Sequence, residues 1–330
     1  MGVITESLAL ALDKLGVEVQ IKPAAIWYDH NSLKPRTQEL VKNELKNIDF
    51  ELLIMYPVYS FDGINKNAAL LSMWEADKLP SVWIKAINSL NLPVLAPSKF
   101  SADVFRNSGV KVPVIDFPLG VDKEFYEYRE RIFPTDRPFR FLSIGKFEPR
   151  KNGNTLLRCF NRTFPGRDDI ELYIKTRERF IPSDSGRSAS TQIKFFSKTV
   201  SEKELRELYY SCNAFVYPSR GEAFSFPPRN AILTGMPTLV TNWSALAEIP
   251  GARLIMTKGL SPMFKCGFSY GEEANLLMAD IDEEHLCKLF EKMLDKTWYE
   301  AECDDVKSER DTHLSWDDCA KNLIKYVEGN

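Results

Sequence analysis

Two stretches of this 330-residue sequence carry side chains of the types and spacing that chemistry uses. The first, Gly145-Lys146-Phe147-Glu148-Pro149-Arg150-Lys151-Asn152, ends one apolar run with a glycine. It places three cations ahead of a helical pattern that starts near Asn154. Ammonium and guanidinium groups at a helix N-terminus form an anion site suited to a diphosphate, whereas a plain solvated turn would carry the same charges to no purpose. The second, Pro218-Ser219-Arg220-Gly221-Glu222-Ala223-Phe224-Ser225-Phe226-Pro227-Pro228-Arg229-Asn230-Ala231, lies between a strand pattern and a helix. Its small residues Gly221, Ala223 and Ser225 let main-chain N–H groups approach a ligand, and Glu222 can accept hydrogen bonds from hydroxyls, as a sugar requires. The competing reading of Glu222 is a carboxylate favoured by a helix dipole.

The elements that must position these stretches follow from periodicity. Short apolar runs alternate with segments of helical period, which is the pattern of parallel strands joined by crossover helices, so the fold class is α/β. The first half reads as a helix over 5–15 stopped by Gly16, strands over 17–21, 50–56 and 93–96, a short helix over 101–107 closed by Gly109, and a strand over 112–115. A charged, proline-bearing stretch over 123–138 marks a boundary. The alternation restarts at 139–145, with strands over 170–174, 193–196, 214–217 and 238–241. Ser201-x-x-Glu204 is a capping box that opens a helix to Ser211, Pro227-Pro228 opens a second, and a last helix runs over 316–327. The sequence starts with Gly2 and a helix where a doubly wound domain normally supplies a strand, so the first strand is expected to be missing or replaced.

Composition narrows the class further. The net charge of −3 provides no global field for nucleic acid or anionic membranes, yet residues 131–230 hold 19 Lys plus Arg against 11 Asp plus Glu, so any phosphate site is local. The six cysteines stand singly and the three histidines lie far apart, which predicts no metal site and a reducing, cytoplasmic compartment. No apolar run approaches the roughly 20 residues of a membrane span.

Taken in order, these stretches resemble the nucleotide-sugar-dependent glycosyltransferases of the GT-B fold, and among them the retaining group called family 4. The resemblance runs through Gly145 to Lys151, the helix and strand up to Lys198, residues 200–219, the Glu222 loop and Gly235-Met236-Pro237-Thr238-Leu239-Val240. It extends upstream to Ala96-Pro97-Ser98-Lys99-Phe100-Ser101 and Pro118-Leu119-Gly120-Val121-Asp122, and downstream to Ser315-Trp316-Asp317. It implies two facing Rossmann-like domains with a cleft between them. Residues 1–122 would form the acceptor side and 137–314 the donor side, with the helix at 315–330 packing back on the first domain.

The resemblance also implies site roles. Lys146, where the family usually has an arginine, and Lys151 would grip the donor diphosphate, assisted by Gly145 and Arg150. Glu222 matches the first glutamate of the family's E-x7-E motif and would contact donor sugar hydroxyls, with Gly221, Ala223, Phe224 and Ser225 lining the donor. Asn230 replaces the second glutamate, which ordinarily holds the ribose. Gly2 would be the remnant of a donor-facing loop. Trp74 and Glu75, within Ser72-Met73-Trp74-Glu75-Ala76-Asp77-Lys78-Leu79-Pro80, would stand on the acceptor side, although a tryptophan at such a place is more often packing.

The implied activity is retaining transfer of a sugar from a nucleotide-diphosphate sugar to a hydroxyl, without a protein nucleophile, a metal or any cofactor beyond the donor itself. The acceptor stays open among a glycan, a lipid-linked glycan, a protein, a small molecule and a modified nucleic-acid base. The rival reading is a weakened or inactive GT-B protein that binds a nucleotide sugar or glycan, favoured by Asn230. A dinucleotide-dependent oxidoreductase is disfavoured because no G-x-G-x-x-G follows a strand. Glycoside hydrolysis needs two facing carboxylates, and Glu222 alone is a clear candidate.

Overall fold

A computed structural model describes residues 2–23, 33–56, 58–59, 63–177, 192–263 and 275–329. The chain divides into two units. One comprises Met1–Met73, Ser81–Asp122 and Leu314–Asn330, and the other Trp74–Pro80 and Lys123–His313.

In the first unit, α1 (Gly2–Lys14) opens the described chain and α2 (Pro35–Lys42) follows. Four parallel strands, β1 (Glu51–Ile54), β2 (Ala68–Leu71), β3 (Val94–Ala96) and β4 (Val114–Asp116), lie side by side in chain order. Leu70 pairs with both Leu53 and Val94, and Val94 with Val114. β2 and β3 are buried throughout, as expected of parallel strands covered on both faces. The helices α3 (Ser81–Leu90) and α4 (Lys99–Asn107) connect them, the latter capped by Ser98, whose hydroxyl accepts from the Ser101 N–H. The strand expected over 17–21 does not form. Val17 is exposed, the Ile21 N–H donates to the Leu40 carbonyl, and Asn43 Nδ2 donates to the Val19 carbonyl, so this segment is a connector laid along α2 instead of a sheet member.

The last helix, α10 (Trp316–Glu328), carries a capping box at Ser315 and packs on α1, with an ion pair between Lys14 Nζ and Asp317 at 2.6 Å. Gly120 makes its approach possible, because a Cβ there would stand 2.5 Å from the backbone of Trp316. The Val121 N–H then donates to the Leu314 carbonyl.

The second unit is built on six parallel strands in the order β10-β9-β8-β5-β6-β7. These are β5 (Phe139–Ile144), β6 (Ile170–Lys175), β7 (Ile193–Phe196), β8 (Ala214–Tyr217), β9 (Thr238–Thr241) and β10 (Ala252–Ile255). The chain runs outward from β5 to β6 and β7 on one side, then returns to place β8 on the other. The strand order therefore reverses at β5 and β8, the place where an open α/β sheet leaves a crevice at its carboxyl edge. The core consists of Phe139, Phe141, Phe160, Phe164, Phe290 and Tyr299, mostly edge to face, with Phe141 and Phe290 centroids 4.9 Å apart.

Around this sheet lie α5 (Gly153–Thr163), α6 (Glu202–Ser211), α7 (Phe226–Leu233), α8 (Glu283–Lys292) and α9 (Lys296–Glu309). The capping box at Ser201 forms with both of its hydrogen bonds. An antiparallel pair, β11 (Thr257–Pro262) and β12 (Leu277–Ile281), stands apart from the main sheet. Among the described residues no helix is long and apolar enough to cross a membrane.

Candidate active site

The two stretches that sequence singled out leave the sheet at its reversal point. The loop after β5 passes through a 3-10 turn, Pro149–Lys151, and a left-handed Asn152 before α5 begins. The loop after β8 runs from Pro218 to Ser225 and enters α7. The Arg220 N–H donates to the Arg150 carbonyl at 2.8 Å, which ties the two loops together through their backbones.

Glu222 is the centre of the arrangement. It is 6 % exposed, and its Oε1 accepts from Lys151 Nζ at 2.5 Å, Ser219 Oγ at 2.6 Å and Tyr217 Oη at 3.1 Å. Arg150 Nη1 stands 3.1 Å from the same oxygen. Among the described residues Oε2 accepts from no side chain, so one half of a fixed carboxylate is left for a ligand hydroxyl. Burial raises the carboxyl's proton affinity, but the charges of Arg150 and Lys151 outweigh it and hold the group at about 2, so Glu222 is ionised at any working pH.

The cations around it are differently placed. Lys151 also donates to Tyr217 Oη at 2.7 Å, and burial together with the Arg150 charge lowers its proton affinity against the pull of Glu222. An ammonium has three N–H donors, so Lys151 keeps one beyond these two bonds. Arg150 is buried and donates to the Gly221 carbonyl at 2.8 Å, with Glu148 at 3.4 Å and Glu75 at 3.8 Å. Burial pushes its proton affinity down, yet Glu222 and Glu75 more than reverse this. Expected as a diphosphate ligand, Arg150 is instead enclosed by carboxylates and holds Glu222 and Gly221 in place. Lys146 is exposed and lines a hollow with Gly145, Phe147, Lys151 and Tyr217.

Gly221 is required by its surroundings, because a Cβ there would lie 2.2 Å from the Glu75 carbonyl oxygen. The segment Trp74–Pro80 thus packs directly on the Glu222 loop within the second unit, and Asp77 exchanges hydrogen bonds with Leu277 of β12. This corrects the expectation for Trp74. Its ring is fully buried and presents no face on which a sugar could stack. Glu75 is buried beside Arg150.

Ala223 and Phe224 are buried as whole residues, main chain and side chain alike. Among the described residues the N–H groups of Ala223, Phe224 and Ser225 donate to no protein acceptor. Asn230, on α7, is half-buried and lowers the proton affinity of the Tyr209 hydroxyl, against the larger opposite effect of burial. Gly2 lies exposed at the start of α1 with open space around it. Among the described residues no three of His, Cys, Asp and Glu cluster as metal ligands do. Sequence reasoning passed over Tyr217, Ser219 and Ser244, whose Oγ accepts from the Glu222 N–H at 3.0 Å. Tyr217 sits at the carboxyl end of β8, a position that by itself could have drawn attention.

With this geometry in place, comparison with known proteins is decisive for the fold. Residues 125–253 match the family model described as glycosyl transferases group 1, a span that includes both loops. Over those residues the chain is similar to the group 1 glycosyltransferases, and its fold is GT-B. It is 28% identical over 117 residues to the serotype-specific mannosyltransferase WbdA of Escherichia coli, covering 33% of this chain and 14% of that protein. Sucrose-phosphate synthase of Thermosynechococcus elongatus superposes with a TM-score of 0.59 at 13% identity, covering 80% of this chain and 68% of the other. HepE of Anabaena, in complex with UDP and glucose, gives 0.57 at 12%, covering 80% and 72%.

Proposed function

We propose that this GT-B chain is a retaining glycosyltransferase that moves a sugar from a nucleotide-diphosphate sugar to an acceptor hydroxyl. The observation that carries the reading is the Lys151–Glu222 pair at the sheet's reversal point, with one carboxylate oxygen and one ammonium N–H left over. The Glu222 oxygen takes a donor sugar hydroxyl. Lys151, Lys146 and the main-chain N–H groups of Ala223 to Ser225 take the charge that builds on the diphosphate as the bond to the anomeric carbon breaks. The acceptor oxygen bonds to that carbon on the same face, and its proton passes to the departing diphosphate oxygen, so configuration is retained and no protein nucleophile is needed. The donor class is supported by the relatives, one a mannosyltransferase and one a neighbour in complex with UDP and glucose.

The test is donor turnover by the full-length chain against UDP-glucose and GDP-mannose, with release of nucleoside diphosphate as the readout. Glu222→Gln and Lys151→Ala should each lower turnover by about 100-fold with an unchanged circular dichroism spectrum. Normal turnover in either variant would overturn the reading. A second reading, a protein that binds the nucleotide sugar without transfer, is favoured by Asn230, which offers a neutral amide where the E-x7-E motif has a carboxylate. It predicts thermal stabilisation by nucleotide with no product from any acceptor.

A further inference from the structure

Arg229, on the first turn of α7, is used by nothing in the mechanism above and is nonetheless 8 % exposed. Its Nε donates to the Phe224 carbonyl at 3.3 Å, and its guanidinium lies 4.2 Å from the centre of the Phe224 ring. Nη1 meets His313 Nδ1 at 3.2 Å. A guanidinium only donates, so Nδ1 must be the acceptor, and the Nε2–H of a neutral imidazole then donates to the Pro250 carbonyl at 3.2 Å. Among the described residues no carboxylate pairs with Arg229, and Glu248 is the acid that influences it. An apolar side chain of similar volume would avoid the desolvation cost, so the retained charge calls for a use.

The residue following Phe224 supplies one. Ser225 has φ 66° and ψ 101°, a backbone shape that L-residues avoid. Left to itself the loop would relax. Arg229 reaches back from α7 and grips the residue immediately before the strained one, by its carbonyl and by its ring. We propose that Arg229 is a positioning residue, which with neutral His313 behind it holds the Glu222 loop in the strained shape that presents the Ala223, Phe224 and Ser225 N–H groups to the donor. This rests on the donor-site reading for its functional consequence but not for its structural one.

Both consequences can be measured on the full-length chain by hydrogen exchange over 222–226 and by calorimetric titration with UDP and with GDP. Arg229→Met should speed exchange of the Glu222 amide, which is bonded to Ser244 Oγ, by about tenfold while β5 stays protected, and weaken nucleotide binding by about tenfold. Ser225→Gly removes the strain, so it should raise nucleotide affinity by a larger factor in the Arg229→Met background than in the parent chain. If Arg229→Met does not fold, Arg229→Lys, which can serve the carbonyl or the imidazole but not both, should show the same changes in smaller measure. Unaltered exchange of the Glu222 amide, or an equal Ser225→Gly factor in both backgrounds, overturns the proposal. A parent chain that binds neither nucleotide sinks the donor reading instead, and the exchange data still judge Arg229.

Discussion

Two buried arginines flank Glu222, and they are held in opposite ways. Arg150 and Arg229 are each 8 % exposed, and burial pushes the proton affinity of both downward. At Arg150 the carboxylates of Glu222 and Glu75 reverse that effect, so the proton is bound more firmly than in water. At Arg229 Glu248 acts against burial but is outweighed by it, and the group falls to about 10. One side of the loop is thus a charge-compensated cluster with several members on one carboxylate oxygen, and the other side is a lone cation resting on a carbonyl, a ring and an imidazole. Equal burial does not imply equal energetics, because the partner decides what removing a charge leaves behind.

The largest expected effect follows from that asymmetry. Arg150→Met takes the guanidinium away from Glu222, Glu75 and Glu148 and should cost about 3–5 kcal/mol in urea unfolding. Arg229→Met removes a charge that has no ionic partner among the described residues and should stay within about 1 kcal/mol. Equal losses in the two variants would erase the distinction between the clusters.

Acid provides a second way to separate the two sides. Burial first and then the Arg229 charge lower the His313 imidazole from 6.5 to about 4. Lys123 acts in the same direction and the Pro250 carbonyl against it. Between these values the unfolded chain binds a proton that the folded chain refuses. The contribution is therefore complete above 6.5 and is lost as pH falls through 4, by about 3 kcal/mol. Glu222, lowered from 4.5 to about 2, keeps its contribution above 4.5 and loses it only as pH falls through 2. Urea midpoints at pH 7, 5 and 4 should decline mainly through His313, and Arg229→Met should shrink that decline by removing one cause of the shift. A decline unaffected by Arg229→Met would mean that burial alone sets the imidazole.

How much of this was legible beforehand depended on whether neighbours in sequence or neighbours in space carried the information. β5, β8 and β9 are short apolar-rich runs bounded by Gly, Pro or Asn, β7 is an apolar-rich run broken by Lys194, and all four formed where the pattern placed them. The Ser201 capping box is a local device and formed as read. β2 was missed because Ala68–Leu71 is a four-residue apolar run with no alternation and no β-branched residue, which a helix would accept equally well. The strand over 17–21 had suitable composition but no ladder to join.

In the site, the residue types at Lys151 and Glu222 were readable from the two loops. The convergence of three donors and the Arg150 guanidinium on a single Glu222 oxygen was not, since Tyr217, Ser219 and Arg150 come together only through the order of the strands. Trp74 and Glu75 were read by their place in the first half of the chain, whereas their segment folds with the second unit against Gly221. A short excursion of seven residues leaves no mark in periodicity.

The smallest expected effect concerns Asn230, which shares α7 with Arg229. Adjacent helical residues do not face one another, so a carboxylate at position 230 would not neutralise Arg229. Asn230→Glu should therefore act through the nucleotide alone. A carboxylate accepting from ribose hydroxyls makes a charge-assisted bond where the amide makes a neutral one, a gain of about 1 kcal/mol or roughly fivefold in UDP or GDP affinity. The Tyr209 hydroxyl, which donates to the Pro227 carbonyl at 3.1 Å, keeps that bond in either case. Because the gain does not pass through the guanidinium, calorimetry should find the same factor in the parent chain and in Arg229→Met. A gain that vanished with Arg229→Met would show instead that the new carboxylate pairs with the lone cation, and would move α7 from the ribose side of the site to the loop-holding side.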